Sequence, residues 1–122
     1  MRRGDIVFTQ LPRDGCVQRG VRPFCVVSND RGNSTNSTVI IAALTSIIKP
    51  HSCNAIVSWS LSGRYKSSVL CNHLYTVSQV DLPSPVYHLS DEDMRQVDRA
   101  LRVSLSLFTE EELEHDHKRK SE

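Results

Sequence analysis

The segment that decides the fold is residues 20–33, Gly-Val-Arg-Pro-Phe-Cys-Val-Val-Ser-Asn-Asp-Arg-Gly-Asn. Its apolar run 24–27 predicts a buried strand, and the polar residues that follow predict a loop. Arg22 lies just before that strand, and Pro23 restricts the backbone immediately after it. A guanidinium at this position can bind a phosphate, because two of its N–H groups can donate to two phosphate oxygens at once. An ordinary surface arginine before an ordinary strand is the alternative that this segment alone leaves open.

Further strands are predicted on both sides of this segment. The run 39–44 is apolar without alternation, which is typical of a strand covered on both faces and therefore central in a sheet. Short β-branched and aromatic segments complete the set. The predicted strands are Asp5–Thr9, Phe24–Ser28, Thr38–Thr45, Ala55–Trp59 and Ser67–Val77.

One helix is predicted near the end of the chain. Ser90 followed by Asp93 approximates a capping box, and acidic residues suit the start of a helix. An apolar stripe with steps of three and four residues follows, which predicts packing against a core or a dimer partner: Met94, Val97, Leu101, Leu105 and Phe108. Short strands followed by a helix predict an α+β fold, a small open antiparallel barrel capped by that helix.

Length and composition predict one globular domain. The chain has 122 residues, of which 39% are hydrophobic and 24% charged, and a net charge of +1. Residues 1–88 carry a net charge of +5 and residues 89–122 one of −4. A basic body can attract a polyanion, whereas a solvated helix and a loose tail explain the acidic end equally well. We expect residues 1–109 to form the domain and residues 110–122 a charged, disordered tail.

The sequence also disfavours several classes of protein. It has no apolar leader at its start and no apolar run near 18 residues, so we expect the protein to stay in the cytosol. Cysteines stand at positions 16, 25, 53 and 71 without C-x-x-C spacing, which disfavours a zinc site. Free thiols are the expectation in the cytosol, with Cys25 and Cys71 buried in apolar runs.

Several motifs resemble the MazF/PemK family of toxin endoribonucleases. They are Arg3-Gly-Asp-Ile-Val7, Gln18-Arg-Gly-Val-Arg-Pro23, residues 26–33, the strand from Thr38 to Ser46 and the stretch from His88 to Leu107. The resemblance implies an SH3-like (MazF/CcdB-like) barrel, a homodimer, and cleavage of single-stranded RNA, chiefly mRNA, without a metal or other cofactor. It also implies a cognate antitoxin (MazE/PemI-like) whose C-terminal segment masks the RNA groove.

The catalytic residues implied by the resemblance are Arg22 and Thr45, both present here. Attack of a ribose 2′-hydroxyl on its neighbouring phosphate builds negative charge on the non-bridging oxygens. Arg22 can stabilise that charge, and Thr45 can donate a hydrogen bond to the same oxygens. Because a guanidinium holds its proton at neutral pH, we favour electrostatic stabilisation over acid catalysis for Arg22.

The RNA-binding residues implied by the resemblance lie in loops and on the last long strand: Gln18, Arg19, Asn29, Asn33, Asn72 and His73. A plain mobile loop is the alternative for Gln18 and Arg19. Independently of the resemblance, Trp59 and Tyr65 flank a polar, basic loop and can stack on unpaired RNA bases, with packing in the core or the loop as the alternative. Many family members carry Glu-Gln-Ile-Arg-Thr where this chain has Asn72-His-Leu-Tyr-Thr76. Segment 50–66 matches no family pattern. We expect these departures to change which RNA sequence is cut more than the chemical reaction itself.

His73 has three possible roles on sequence grounds. The first is a general base for the 2′-hydroxyl, since imidazole exchanges protons near neutral pH. The second is a hydrogen-bonding partner of an RNA base, and the third is a packed histidine of the strand. Two other functions compete with RNA cleavage. One is a gyrase-poisoning toxin of the same fold, and the other is a catalytically silent relative that binds RNA or antitoxin.

Overall fold

The computed structural model describes residues 1–11, 20–63 and 66–108. The predictions for Gln18, Arg19, Tyr65 and the tail 110–122 lie outside these residues. The described strands are β1 (Asp5–Thr9), β2 (Arg22–Val26), β3 (Thr38–Thr45), β4 (Asn54–Val57), β5 (Ser67–Ser78) and β6 (Tyr87–His88). The helices are α1 (Asp30–Thr35) and α2 (Asp91–Ser104), and a 3-10 turn spans Gln79–Asp81.

The strands form one antiparallel sheet in the order β4-β5-β3-β2-β1-β6. The predicted α+β fold, an open barrel with a C-terminal helix, is confirmed. β3 lies between β2 and β5, the central position that its apolar run predicts. Its residues Val39 and 41–44 are buried, whereas Ile40 is 39% exposed.

Both faces of the sheet carry an apolar core. One face packs against α2 and includes Cys25, Cys71 and Val97. The other is built on Phe24 and Ile41. Cys25 and Cys71 have no exposed surface, as their apolar surroundings predict. Burial raises the pKa of each thiol from 9.0 to about 12, because a thiolate loses its hydration there.

Aromatic side chains bridge the two edges of the curled sheet. β4 and β6 are the edge strands. Trp59, just after β4, stacks on Tyr87 of β6 with ring centroids 6.2 Å apart, and it also meets the edge of Phe8 at 6.2 Å. Among the described residues no ladder joins β4 to β6. Side-chain packing therefore brings the edges together.

Helix α2 begins where the sequence predicts. The Ser90 hydroxyl accepts a hydrogen bond from the Asp93 N–H at 3.2 Å. The buried Asp93 carboxylate accepts from the Ser58 N–H, at 3.1 and 3.2 Å, so it ties the helix to the end of β4. The helix ends at Ser104. The last part of the predicted apolar stripe, from Leu105 onward, therefore lies beyond it.

β2 and β4 begin and end one or two residues earlier than predicted, and two further elements were not predicted. The predicted loop 28–33 contains most of α1, because the Asn29 side chain caps it by accepting from the Gly32 N–H at 2.7 Å. The strand β6 is unpredicted; it pairs with β1, and His88 Nδ1 lies 2.8 Å from Oδ1 of the buried Asp5. In the described part of the chain, neither helix has the length and apolar character needed to cross a membrane.

Candidate functional site

Arg22 and Thr45 stand at one end of the β2–β3 pair. Arg22 is the first residue of β2, and Thr45 is the last residue of β3. The strands pair with Phe24 opposite Ala43. Two further residues on each strand lead from this last pair to Arg22 and Thr45, so the two residues lie at the same end of the β2–β3 pair. An antiparallel register continued over those residues would set them opposite each other, with side chains on the same face of the sheet.

The backbone around Arg22 holds it at the entrance to the strand. Gly20 has φ +84°, a conformation that glycine adopts most easily. Pro23 restricts the preceding residue to extended conformations. The Arg22 side chain is exposed, and among the described residues no carboxylate forms an ion pair with it. Its guanidinium is therefore available to an anionic ligand.

The Thr45 hydroxyl already has one partner. Its Oγ1 accepts a hydrogen bond from the Ile47 N–H at 3.2 Å, and the residue is half-buried. A hydroxyl has one proton to donate in addition to its acceptor lone pairs. Because the backbone fills an acceptor position, the hydroxyl proton is left for a ligand beside Arg22.

The site extends along one row of the sheet. Thr9 lies opposite Arg22, and Ser68 lies opposite Thr45. Ser68 has no exposed surface, and its Oγ accepts from the Lys49 N–H at 3.0 Å. The Lys49 carbonyl in turn accepts from Asn54 Nδ2 at 2.9 Å. Ser68 therefore positions the turn that follows Thr45, a role that sequence reasoning missed because it depends on strand register.

Asn72 and His73 lie at an irregularity in β5. Leu70 pairs with Ala43, and Leu74 pairs with Ala42. Residues 71–73 are thus extra on β5 at this point, and the strand bulges. Asn72 and His73 are both exposed. The bulge faces β3 two to three residues before Thr45, so these side chains belong to the same half of the sheet as Arg22 and Thr45.

Asn29 and Asn33 lie at the other end of the β2–β3 pair, around α1. Asn33 is 4% exposed; its Oδ1 accepts from the Ser28 hydroxyl at 2.5 Å, and its Nδ2 donates to the Ser28 carbonyl at 2.9 Å. The Asn29 side chain caps α1. The structure does not bring these two residues together with Arg22 and Thr45, and it gives both a local structural role.

Of the remaining candidates from the sequence, the structure describes only Trp59. Gln18, Arg19 and Tyr65 lie outside the described residues. Trp59 packs in the aromatic contact that bridges the sheet edges. Within residues 1–11, 20–63 and 66–108, no three His, Cys, Asp or Glu side chains gather in a group that could hold a metal ion.

Comparisons with known proteins agree on one family. Residues 2–105 match the family described as PemK-like, MazF-like toxin of type II toxin-antitoxin system. The chain is 36% identical over 114 residues to Endoribonuclease MazF of Staphylococcus saprophyticus, covering 89% of this chain and 94% of that protein. It is 38% identical over 113 residues to Endoribonuclease EndoA of Bacillus subtilis, covering 88% and 97%.

A solved structure shares the fold. It is an endoribonuclease in complex with its cognate antitoxin from a mycobacterial species, and it superposes with a TM-score of 0.75 over 89% of this chain and 98% of that one. The sequence identity is 19%, so this likeness concerns the fold alone.

Proposed function

The chain belongs to the family of PemK-like and MazF-like toxins of type II toxin–antitoxin systems, and we propose that it cleaves single-stranded RNA without a metal ion at a site built on Arg22 and Thr45. The observation that supports this proposal is the position of the two residues at the same end of the adjacent strands β2 and β3. The identity to two proteins named endoribonucleases supports the activity.

The proposed reaction is an internal displacement at phosphorus. The 2′-oxygen of one ribose attacks the adjacent phosphorus and gives up its proton to a base. The bond to the 5′-oxygen of the next nucleotide breaks, and that oxygen takes up a proton. The products are a 2′,3′-cyclic phosphate and a 5′-hydroxyl.

Arg22 and Thr45 would act on the charge that develops during this step. The guanidinium offers two N–H groups to the non-bridging oxygens, and the Thr45 hydroxyl adds a third donor. Ile47 N–H orients that hydroxyl, so little reorganisation is needed as the charge grows. His73 is a candidate for the base, and it shares the exposed bulge with Asn72.

The proposed RNA-contacting residues are Gln18, Arg19, Tyr65, Asn72 and His73. Asn72 and His73 carry both donors and acceptors at an exposed bulge, and proteins recognise single-stranded RNA by hydrogen bonds to base edges and by stacking. Asn29 and Asn33 are left out of this set because their side chains serve α1.

Protein partners are also proposed, namely a cognate antitoxin and a second copy of the chain. The family description names a toxin–antitoxin system. Val21 is 61% exposed and Ile47 is 62% exposed, and they flank Arg22 and Thr45 along the chain. Exposed apolar side chains beside a charged site fit a protein segment that covers it.

The test is cleavage of a long RNA by the purified protein in the presence of EDTA. We expect fragments with a 2′,3′-cyclic phosphate and a 5′-hydroxyl. Arg22→Ala and Thr45→Ala should each lower the rate about 10²–10³-fold, the usual effect of removing one preorganised donor. Both should lose growth inhibition while they keep antitoxin binding.

Two matched variants control for nonspecific effects. Thr38→Ala removes an exposed threonine at the other end of the same strand, and Arg31→Ala removes an exposed arginine from α1. Both should cleave at the parental rate. Near-parental cleavage by Arg22→Ala would overturn the catalytic assignment, and complete inhibition by EDTA or a 5′-phosphate product would overturn the metal-free mechanism.

A further inference from the structure

Cys53 and Cys71 face each other across the β4–β5 pair. The strands pair with Asn54 opposite Leu70 and Ala55 opposite Val69, and one further step of this register sets Cys53 opposite Cys71. The Cys71 N–H donates to the Cys53 carbonyl at 3.0 Å. The Cys53 N–H donates instead to His51 Nδ1 at 3.0 Å, so one of the two hydrogen bonds of an opposite pair is made. Opposite residues of an antiparallel pair have Cα atoms about 4.5–5.5 Å apart, which is within the range that a disulfide spans.

Cys53 lies in the turn immediately before β4. Side chains alternate along a strand, so continuing the alternation of β4 by one residue gives Cys53 the face of Ala55 and Val57. Its thiol is near enough to Cys71 to be, after burial, the second cause of the raised pKa of Cys71. Ala55 and Val57 lie in the same core cluster as Cys71, the one that packs against α2. Cys53 is half-buried and Cys71 has no exposed surface. Solvent therefore has access to one thiol of the pair and not to the other.

We propose that Cys53 and Cys71 form a reversible disulfide, making this strand pair a redox modification site. The oxidant is a small-molecule disulfide such as oxidised glutathione. Disulfides in reducing compartments are usually transient and redox-sensing, and strained cross-strand bonds are the readily reduced ones. Residues 72 and 73, which we propose to contact RNA, directly follow Cys71, but the disulfide itself does not depend on that proposal.

The bond forms in two exchange steps. The Cys53 thiolate attacks one sulfur of the glutathione disulfide, whose S–S bond breaks and releases one glutathione thiolate. Cys71 then loses its proton and attacks the Cys53 sulfur of the mixed disulfide, releasing the second glutathione thiolate. Two cysteine thiols are oxidised, and one glutathione disulfide is reduced to two thiols.

The buried environment of Cys71 makes the second exchange step slower than the first. Its Sγ lies 3.9 Å from the Val97 carbonyl of α2, and its burial raises the pKa to about 12. Since the thiolate is the nucleophile, the second step is slow at neutral pH, and glutathione accumulates first on Cys53. After excess oxidant is removed, the second step should speed up about tenfold per pH unit.

The test is peptide mapping of the full chain treated with oxidised glutathione. Trypsin does not cleave before Pro23 or Pro50, so Cys16, Cys25, Cys53 and Cys71 fall on four separate peptides, residues 14–19, 20–31, 32–64 and 67–95. We expect glutathione on 32–64 first and then a cross-link between 32–64 and 67–95. Dithiothreitol should reverse the cross-link.

Variants separate this pair from the other thiols. Cys53→Ser changes the half-buried partner and should abolish both the cross-link and the modification of Cys71. Cys25→Ala is the matched control, a buried cysteine of the same core, and it should leave the cross-link in place. A cross-link to peptide 20–31 or 14–19, or unchanged oxidation of Cys71 in Cys53→Ser, would each overturn the proposal. So would glutathionylation of 32–64 that persists without a cross-link when the pH is raised after the oxidant is removed.

Discussion

Trp59 and Tyr87 stack across the two edges of the sheet, where no backbone ladder joins β4 to β6 among the described residues. Their ring planes lie at 28° with centroids 6.2 Å apart. An open sheet has two edges with unpaired backbone groups. In this fold an aromatic contact, with Phe8 against Trp59, joins the edges instead of hydrogen bonds.

The first prediction concerns the energy of that contact. A double-mutant cycle with Trp59→Leu and Tyr87→Leu should give a coupling free energy of about 0.5–1.5 kcal/mol. This is the usual coupling of an aromatic pair, in addition to the free energy gained by burying the surface of the rings. Urea unfolding of the four proteins measures it. The control cycle pairs Trp59 with Tyr75, which meets Phe24 on the other face, and it should show no coupling. Zero coupling between Trp59 and Tyr87 would refute the role of this contact.

The second prediction separates structure from RNA binding at Asn33. Asn33→Ala removes the two hydrogen bonds that the Asn33 side chain makes with the hydroxyl and the carbonyl of Ser28, and lost buried hydrogen bonds cost about 1–3 kcal/mol. We expect a lower free energy of unfolding by urea and an unchanged cleavage motif. Asn36→Ala, an exposed side chain next to α1, is the control and should be neutral. If the RNA cleavage motif changed while the free energy of unfolding did not, Asn33 would be an RNA-binding residue.

The third prediction is a loss of stability in alkali. The pKa of Cys25 and of Cys71 rises from 9.0 to about 12 on folding, because both are buried. Between these values the unfolded thiols ionise while the folded ones do not, so the unfolded state binds fewer protons. The free energy of unfolding therefore falls as the pH rises from 9 toward 12, by up to about 1.4 kcal/mol per pH unit for each thiol.

Urea unfolding under reducing conditions, repeated at several pH values above 8, measures this slope. Replacing both residues, Cys25→Ala with Cys71→Ala, removes the two thiols and should flatten the curve relative to the parent, although the variant starts from a lower stability. Equal slopes for the parent and the double variant would contradict the prediction.

The fold was predictable because its signals are local. The unbroken apolar run of β3 predicts a central strand, and Ser90 predicts the start of α2. Helix α1 was not predicted, because Asn29-Asp-Arg-Gly32 has the composition of a loop, and the Asn29 cap and the contacts of Asn33 that accompany the helix are not visible in composition. Strand β6 depends on a contact between Asp5 and His88, 83 residues apart, which no local pattern records.

The residues proposed for the site come from the sequence, but their arrangement does not. Arg22 and Thr45 are candidates because of motifs, whereas their place at the same end of β2 and β3 depends on how the two strands pair. Ser68 has no motif and shows its role only through the pairing of β3 with β5. Asn33 lies in a matching motif, yet its burial depends on the turn around Ser28.

The last prediction concerns the bulge of β5. Asn72→Glu with His73→Gln should change the preferred cleavage motif and leave the reaction intact, since the exchange alters exposed donors and acceptors but leaves Arg22 and Thr45 in place. Sequencing of fragment ends measures the motif. Thr76→Ser, exposed on the same strand beyond the bulge, is the control and should keep the parental motif.

The single variant His73→Gln tests the competing role of His73 as the general base. A base must lose its proton before it can act, so its removal would strongly lower cleavage of every RNA and flatten the acid limb of the residual pH–rate profile. If His73 only contacts RNA bases, the profile keeps its acid limb and the motif alone changes. An unchanged motif at an unchanged rate in the double variant would contradict both roles and leave His73 as a strand residue without a part in RNA cleavage.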